Sequence, residues 1–196
     1  MLVECTKEEW LAALRWGDIG LVKGNSLLAK GEYLLNKLEK IDGEASHGFI
    51  VKNAPQISEA EFKGITDKNK ITKYLGGKIT VWVFRYFRSL TPEEVNCGAS
   101  YLYGVDNEAV YGSQGIKQFI KKFFLKLVGK EYTPKDRQGI FCTEHSSKFI
   151  RVMALVYSAF EPEQISPSMQ LEYFETNAGM WPIALLFDGQ KYYIDA

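Results

Sequence analysis

Cys142 is the residue of this sequence whose type and position best suit a nucleophile. Residues 133–139, which are rich in helix breakers, precede it, and a long run with helical apolar periodicity follows. The thiol is therefore expected near the first turn of a helix. There, unpaired amides and the helix dipole favour a thiolate and could also stabilise an oxyanion during acyl transfer. The alternative is that Cys142 is a buried residue that packs as a small hydrophobe.

A thiol nucleophile needs a base, and His47 is well suited because it begins a predicted strand, which holds a side chain rigidly. Glu59 follows twelve residues later on the next predicted strand. An even offset across a hairpin places both side chains on one sheet face, where a carboxylate can orient the imidazole. Glu61 shares that face and is an alternative. The other interpretation is a structural His47 beside two solvated carboxylates.

The elements that must position these residues predict an α+β domain, in which an antiparallel sheet packs against helices. Capping boxes at Thr6 and Thr91 and hydrophobic periodicity give the boundaries. Helices are expected at about 7–17, 26–42, 91–103, 114–128 and 142–160, with a short one opening at Ser166-Pro167. Strands are expected at about 18–23, 47–51, 57–61, 79–86, 183–187 and 191–194. We interpret residues 1–196 as one domain with a helical insertion at about 91–130.

The composition excludes several classes of protein. Twenty-four basic residues balance 24 acidic ones, so the basic excess typical of a nucleic-acid-binding protein is missing. Three widely separated cysteines do not suggest a disulfide scaffold. No apolar run is long enough for a membrane span, and the polar start is unlike a secretory signal. These features predict a cytoplasmic protein, with delivery by a phage or a secretion system as an alternative.

Four short segments contain the candidate residues in a characteristic order: Gly17-Asp18-Ile19-Gly20-Leu21-Val22, Ser46-His47-Gly48-Phe49-Ile50-Val51, Ile57-Ser58-Glu59-Ala60 and Phe141-Cys142-Thr143-Glu144. Together they resemble the circularly permuted papain-like cysteine hydrolases, which are relatives of the NlpC peptidoglycan peptidases, and the YiiX type most of all. In ordinary papain-like chains the Cys precedes the His, whereas here the order is reversed. The resemblance extends from about residue 17 to residue 167.

The resemblance implies a permuted papain-like fold with a small, barrel-like antiparallel sheet. It makes Cys142 the nucleophile, His47 the general base and Glu59 the residue that orients the imidazole. The implied activity is that of a cysteine peptidase or amidase, which would cleave a small peptide or acyl-amide, foremost a cell-wall-type peptide, without cofactor or metal. Alternatives are a lipid acyltransferase or thioesterase of the same fold and a non-catalytic ligand-binding module.

His145 lies three residues after Cys142, so on a helix the two side chains would lie near one face. It could be an alternative base, half of a metal site with Cys142, or only a helix residue beside the site. Four tyrosines could line a pocket or merely pack: Tyr101, Tyr103, Tyr111 and Tyr132.

The predicted helix at 114–130 carries five lysines that alternate with apolar residues: Lys117, Lys121, Lys122, Lys126 and Lys130. This Lys face could contact an anionic surface, such as a membrane or a polymer. Equally, the apolar stripe could face the core and leave the lysines in solvent.

Overall fold

Eight strands in the described part of the chain form one antiparallel sheet in the computed structural model. The structure describes residues 1–25, 29, 30, 33, 34, 37, 41, 43–61, 64–108, 125, 142–153 and 165–195. The strands are β1 (Leu2–Cys5), β2 (Ile19–Lys23), β3 (His47–Asn53), β4 (Gln56–Glu61), β5 (Gly64–Lys70), β6 (Thr80–Phe84), β7 (Ile183–Phe187) and β8 (Tyr192–Asp195). The helices used below are α1 (Lys7–Ala12), α2 (Pro92–Glu108), α3 (Cys142–Val152) and α4 (Pro167–Thr176), and a short 3₁₀ helix spans Ile71–Tyr74.

The order of the strands places both candidate carboxylates near one edge of the sheet. This order is β1-β8-β7-β6-β2-β3-β4-β5, with antiparallel neighbours. The hairpin of β3 and β4 pairs Ile50 with Ser58 and Val51 with Ile57, and the register shifts close to the turn. Continued along β3, the pairing places His47 diagonally, not directly, opposite Glu59. The two side chains still share one face because their separation in the hairpin is even.

Alternation along the strands gives the sheet two apolar faces. On one face, β2 and β3 contribute Ile19, Leu21 and Ile50, against which Phe149 of α3 is buried. The other face buries a second cluster that contains Trp10 of α1, Val22, Phe49, Ile57 and Val83. Because side chains of a strand alternate between faces, α3 packs on the side opposite to α1.

Most predicted elements are confirmed within the described residues. The chain has the antiparallel sheet with helices that the sequence predicts, and the hairpin of β7 and β8 turns at Gly189, whose φ is 99°. α2 begins as predicted, with Thr91 and Glu94 capping each other, but continues to Glu108. The predictions missed β1, β5 and the 3₁₀ helix. The predicted helices at 26–42 and 114–128 lie largely outside the described residues, as do the Lys face and most of the 91–130 insertion.

The end of the first helix is predicted wrongly, because α1 stops at Ala12 and not near Gly17. Asp18 accounts for this difference. Its buried carboxylate accepts a hydrogen bond from the Arg15 amide at 2.8 Å and pairs with the Arg85 guanidinium at 2.7 Å. Gly17 has a φ of 83°, a left-handed conformation that favours glycine. The chain therefore turns sharply into β2, and this corner has a structural function.

Candidate active site

Cys142 is the first residue of α3, and it is 8% exposed. The backbone amides of Gly48 and Thr143 donate hydrogen bonds towards its sulfur. The helix can approach β3 this closely because Gly48 has no side chain: a Cβ built there would lie 3.2 Å from Cγ2 of Thr143. Cys142 thus lies at a helix start, as the sequence predicts, and this helix start places the thiol beside the beginning of β3.

His47 is the first residue of β3 and lies between Cys142 and Glu59. Its Nε2 is 2.6 Å from Oε2 of Glu59, and its side chain is 21% exposed. The imidazole also makes a hydrogen bond with the Cys142 side chain. Because Nε2 faces the carboxylate, Nδ1 is the nitrogen left to face the sulfur. The structure therefore brings together all three residues that the sequence singles out.

The Glu59 carboxylate is fully buried, and a short segment of chain surrounds it with donors. Tyr74 donates its hydroxyl to Oε2 at 2.5 Å, the same oxygen that faces His47. Asn69 donates to Oε1 at 2.7 Å, and the Lys73 ammonium lies 2.5 Å from that oxygen. Each oxygen thus has at least two partners, which fixes the carboxylate and keeps it ionised.

Aromatic packing holds the imidazole from the side. The ring of Tyr74 is stacked on Phe49, with centroids 5.8 Å apart and planes 8° from parallel. The same ring lies 5.7 Å from the His47 ring. Tyr74 therefore contacts both members of the His47–Glu59 pair, one through its hydroxyl and the other through its ring.

The charges of these groups stabilise one another. Burial alone would lower the pKa of His47, but the negative charges of Cys142 and Glu59 and their hydrogen bonds raise it to about 10. Burial would raise the pKa of Glu59, yet His47, Lys73 and Tyr74 hold it at about 2. The pKa of the Cys142 thiol is lowered, because the His47 charge and the two backbone amides outweigh burial. This pattern corresponds to a thiolate–imidazolium pair with an ionised acid behind it.

Glu61, the alternative to Glu59, shares its face of the sheet but is bonded to other groups. Its carboxylate accepts from Asn69 at 2.8 Å and pairs with Lys73 at 2.5 Å, and its side chain is 42% exposed. Lys73 thus bridges the two carboxylates. Of the two, Glu59 is the one that contacts His47.

His145 is fully buried and has partners on both ring nitrogens. Ser58 Oγ lies 2.9 Å from Nε2, and the Tyr101 hydroxyl lies 3.2 Å from Nδ1. Burial, followed by the nearby Lys148 charge, lowers the pKa of His145 to about 3, so the ring is neutral near pH 7. No group of three or more His, Cys, Asp or Glu in the described ranges is arranged to hold a metal ion.

The supporting residues were not identified from the sequence. Asn69, Lys73 and Tyr74 lie on β5 and the 3₁₀ helix, both of which the prediction omitted. Ser58 directly precedes the predicted acid and could have been noted as a neighbour on the opposite face of β4. The other signal in the sequence was the aromatic Tyr74, in a segment otherwise dominated by polar residues.

The comparisons with known proteins add no assignment: no protein-family model and no curated protein matches the chain. Among the described residues, no helix is both long and apolar enough to cross a lipid bilayer. The chemical interpretation of the site therefore depends on its own geometry. A thiol paired with an imidazole, which in turn is held by a buried carboxylate, is an arrangement able to carry out nucleophilic acyl transfer.

Proposed function

We propose that this chain is a cysteine hydrolase with a permuted papain-like fold, which cleaves an amide bond through a Cys142–His47–Glu59 triad. The observation that carries the proposal is the 2.6 Å contact between His47 and Glu59, with the same imidazole bonded to a thiol at a helix start. The order of the residues along the chain supports the permuted topology. The base and the acid come from adjacent strands that precede the nucleophile helix.

The first half of the reaction forms the acyl-enzyme. The Cys142 thiolate attacks the carbonyl carbon of the amide, and a bond forms between sulfur and carbon. The Cys142 backbone amide lies in the first turn of α3, where a helix offers it no acceptor of its own, and it is the proposed donor for the resulting oxyanion. When the C–N bond breaks, the His47 imidazolium gives its proton to the leaving amine. Glu59 keeps Nε2 protonated throughout, so that Nδ1 is the nitrogen that exchanges the proton.

The second half releases the acid. Water enters in place of the amine, and the neutral His47 takes one of its protons as the oxygen attacks the thioester carbon. The C–S bond then breaks, and the thiolate–imidazolium pair is restored. The complete reaction consumes one water and converts one amide into an acid and an amine, and it balances without a cofactor.

The proposed substrates are small peptides or acyl-amides of the kind found in cell walls, which follows from the resemblance of the four sequence motifs. The test is to incubate the wild-type chain and a Cys142→Ala variant with muropeptides and, separately, with phospholipid vesicles. We expect the wild-type chain to release new amino groups from muropeptides and Cys142→Ala to release none. A Cys97→Ala variant is the control, because Cys97 lies on α2 and has no place in the triad.

The outcomes separate the possible functions. Cleavage of muropeptides by Cys142→Ala at the wild-type rate would overturn the catalytic assignment. Release of acyl chains from the vesicles, with muropeptides left intact, would instead make the protein a lipid hydrolase or acyltransferase of this fold. Thermal unfolding of Cys142→Ala close to that of the wild type is expected, and it would exclude misfolding as the cause of lost activity.

A further inference from the structure

Ser58 and Glu59 are consecutive residues of β4, and their side chains leave the strand on opposite faces. Glu59 reaches His47, as described above. Ser58 reaches the other face, where its hydroxyl lies 2.9 Å from Nε2 of His145 on α3. Both side chains are fully buried, as is the ring of His145. Two consecutive residues of one strand are therefore hydrogen-bonded, one to the base and the other to the helix that carries the nucleophile.

The hydrogen-bond pattern indicates which ring nitrogen of His145 carries the proton. The Tyr101 hydroxyl donates to the His145 carbonyl oxygen at 3.3 Å and lies 3.2 Å from Nδ1 of the same residue. If Nδ1 carries the ring proton, it donates to the Tyr101 oxygen, and Nε2 accepts from the Ser58 hydroxyl. All three donors then have acceptors, which the opposite tautomer does not achieve with these partners. Ser58 is thus the donor in the bond between β4 and α3.

His145 is also clamped by stacking. The rings of Tyr101 and His145 lie 5.6 Å apart with planes 29° from parallel. Tyr101 belongs to α2, so His145 is held between a strand on one side and a second helix on the other. Because the ring is neutral and its nitrogens already have partners, it is poorly suited to abstract the Cys142 proton itself.

We propose that Ser58 and His145 are positioning residues that set the place of the Cys142 sulfur relative to His47; this inference rests on the proposed cysteine-hydrolase function. His145 follows Cys142 by three residues, so the two are one helical turn apart and move together. His47 is held by Glu59, the residue next to Ser58. Two adjacent residues of β4 thus fix the positions of both reacting groups: Ser58 fixes the sulfur through His145, and Glu59 fixes the imidazole. If α3 slipped along the sheet, the sulfur and the imidazole would move apart.

Two other described hydrogen bonds of α3 reach a different element. Thr143 donates to the Ile165 carbonyl at 2.9 Å, and Ser146 donates to Gln170 of α4 at 2.9 Å. These bonds join α3 to α4 and to Ile165, two residues before α4, and not to the strand that holds the acid. Loss of the Ser58 hydroxyl would therefore remove a described tie between α3 and β4 while α3 stays attached to the domain, so that α3 could shift against β4.

The test compares Ser58→Val with Ser58→Thr, which have nearly the same shape but differ in the hydroxyl. The measured quantity is the rate of iodoacetamide alkylation of Cys142 as a function of pH, followed by mass spectrometry, together with the melting temperature. We expect Ser58→Val to slow alkylation at about pH 6 by about 10- to 100-fold, since a small misplacement of reacting groups has effects of this size. Ser58→Thr should retain most of the wild-type rate.

Two further variants keep the result interpretable. Leu185→Ala lowers stability from the buried interior of β7, three strands away from β3, and should not change the alkylation profile. Tyr101→Phe removes the hydroxyl from the other side of His145. It should shift the profile in the same direction as Ser58→Val, so it replaces that variant if Ser58→Val does not fold.

The outcomes distinguish the inference from the function on which it rests. A wild-type Cys142 that reacts no faster than Cys5 and Cys97 at about pH 6 would overturn the thiolate site, and this inference with it. A fast wild-type Cys142 with unchanged profiles in Ser58→Val and Tyr101→Phe would overturn the inference alone. If Leu185→Ala slowed the alkylation of Cys142 as much as Ser58→Val does, the inference alone would again be overturned, because the slowing would then follow from lost stability.

Discussion

Replacing Glu59 with Gln should weaken the Cys142 thiolate although the substitution alters neither the sulfur nor the imidazole itself. Burial lowers the pKa of His47, and the charges and hydrogen bonds of Cys142 and Glu59 together bring it to about 10. An opposite charge at the range of this contact, 2.6 Å between Nε2 and Oε2, is worth about 1–3 pKa units. We expect the pKa of His47 to fall by about that amount in Glu59→Gln.

The size of the effect follows from the proton transfer between thiol and imidazole. Each pKa unit that His47 loses makes the thiolate–imidazolium pair about 1.4 kcal/mol less favourable relative to the neutral pair. A loss of about 1–3 units therefore reduces the ratio of charged to neutral pairs by about 10- to 1000-fold. For comparison, an ordinary thiol with a pKa of about 8.5 is about 0.3% ionised at pH 6.

In Glu59→Gln, the NH₂ group of the glutamine side chain would also face hydrogen-bond donors, with which it cannot pair. Asn69 and Lys73 both donate to Oε1 of Glu59. If the glutamine carbonyl faces His47 and Tyr74, its NH₂ group faces these two donors and has no acceptor. A buried donor without a partner costs about 1–3 kcal/mol, so Glu59→Gln should also be less stable than the wild type.

The assay is the rate of iodoacetamide alkylation of Cys142 against pH, which needs no knowledge of the substrate. Glu59→Gln should react more slowly than the wild type at about pH 6, by at most the fall in the ratio of charged to neutral pairs, and approach it where ordinary thiols ionise. Glu61→Gln is the matched control, because it removes the same charge two residues away without contacting His47. Wild-type reactivity in Glu59→Gln, or equal slowing in Glu61→Gln, would refute the reasoning.

Two further predictions concern the groups around this core. Lys73→Met should raise the pKa of Glu59 from about 2, because the Lys73 ammonium is one of the groups that lower it. The rate of Cys142 alkylation should therefore fall at about pH 4, near the ordinary Glu pKa, but not at about pH 7. Equal slowing at both pH values would contradict this role of Lys73. Gly20→Ala should destabilise the fold by about 1–3 kcal/mol or more in urea unfolding, because a Cβ there would lie 1.9 Å from the Phe49 ring. The control is Gly76→Ala, whose Cβ meets nothing within 4 Å, and equal stability of the two variants would show that the ring yields.

The sequence was sufficient for the parts of the site whose signals are local or periodic. Cys142 follows a helix-breaking stretch, and His47 and Glu59 fall at an even offset on two strands rich in apolar residues, so their elements and faces could be predicted. The bulged register between β3 and β4 could not be predicted, but it did not alter the shared face. The choice between Glu59 and Glu61 needed coordinates, because both point to that face.

The supporting residues were beyond sequence reasoning for a physical reason. β5 has the sequence Gly-Ile-Thr-Asp-Lys-Asn-Lys, and as an edge strand it is largely polar, without the alternation that indicates a half-buried strand. The bond between Ser58 and His145 joins residues 87 positions apart. No local pattern encodes such a contact, which depends on how α3 is seated on the sheet.

The position of β5 in the strand order has a consequence for how the site fails. Three partners of the buried Glu59 carboxylate come from residues 69–74, at the outer edge of the sheet. Edge strands are held on one side only, and such elements open locally at a lower free energy than the core. When this edge opens, the acid loses three donors at once while Cys142 and the central strands keep their places. Reactivity of the thiol is therefore expected to decay through opening of this edge, well before the whole domain unfolds.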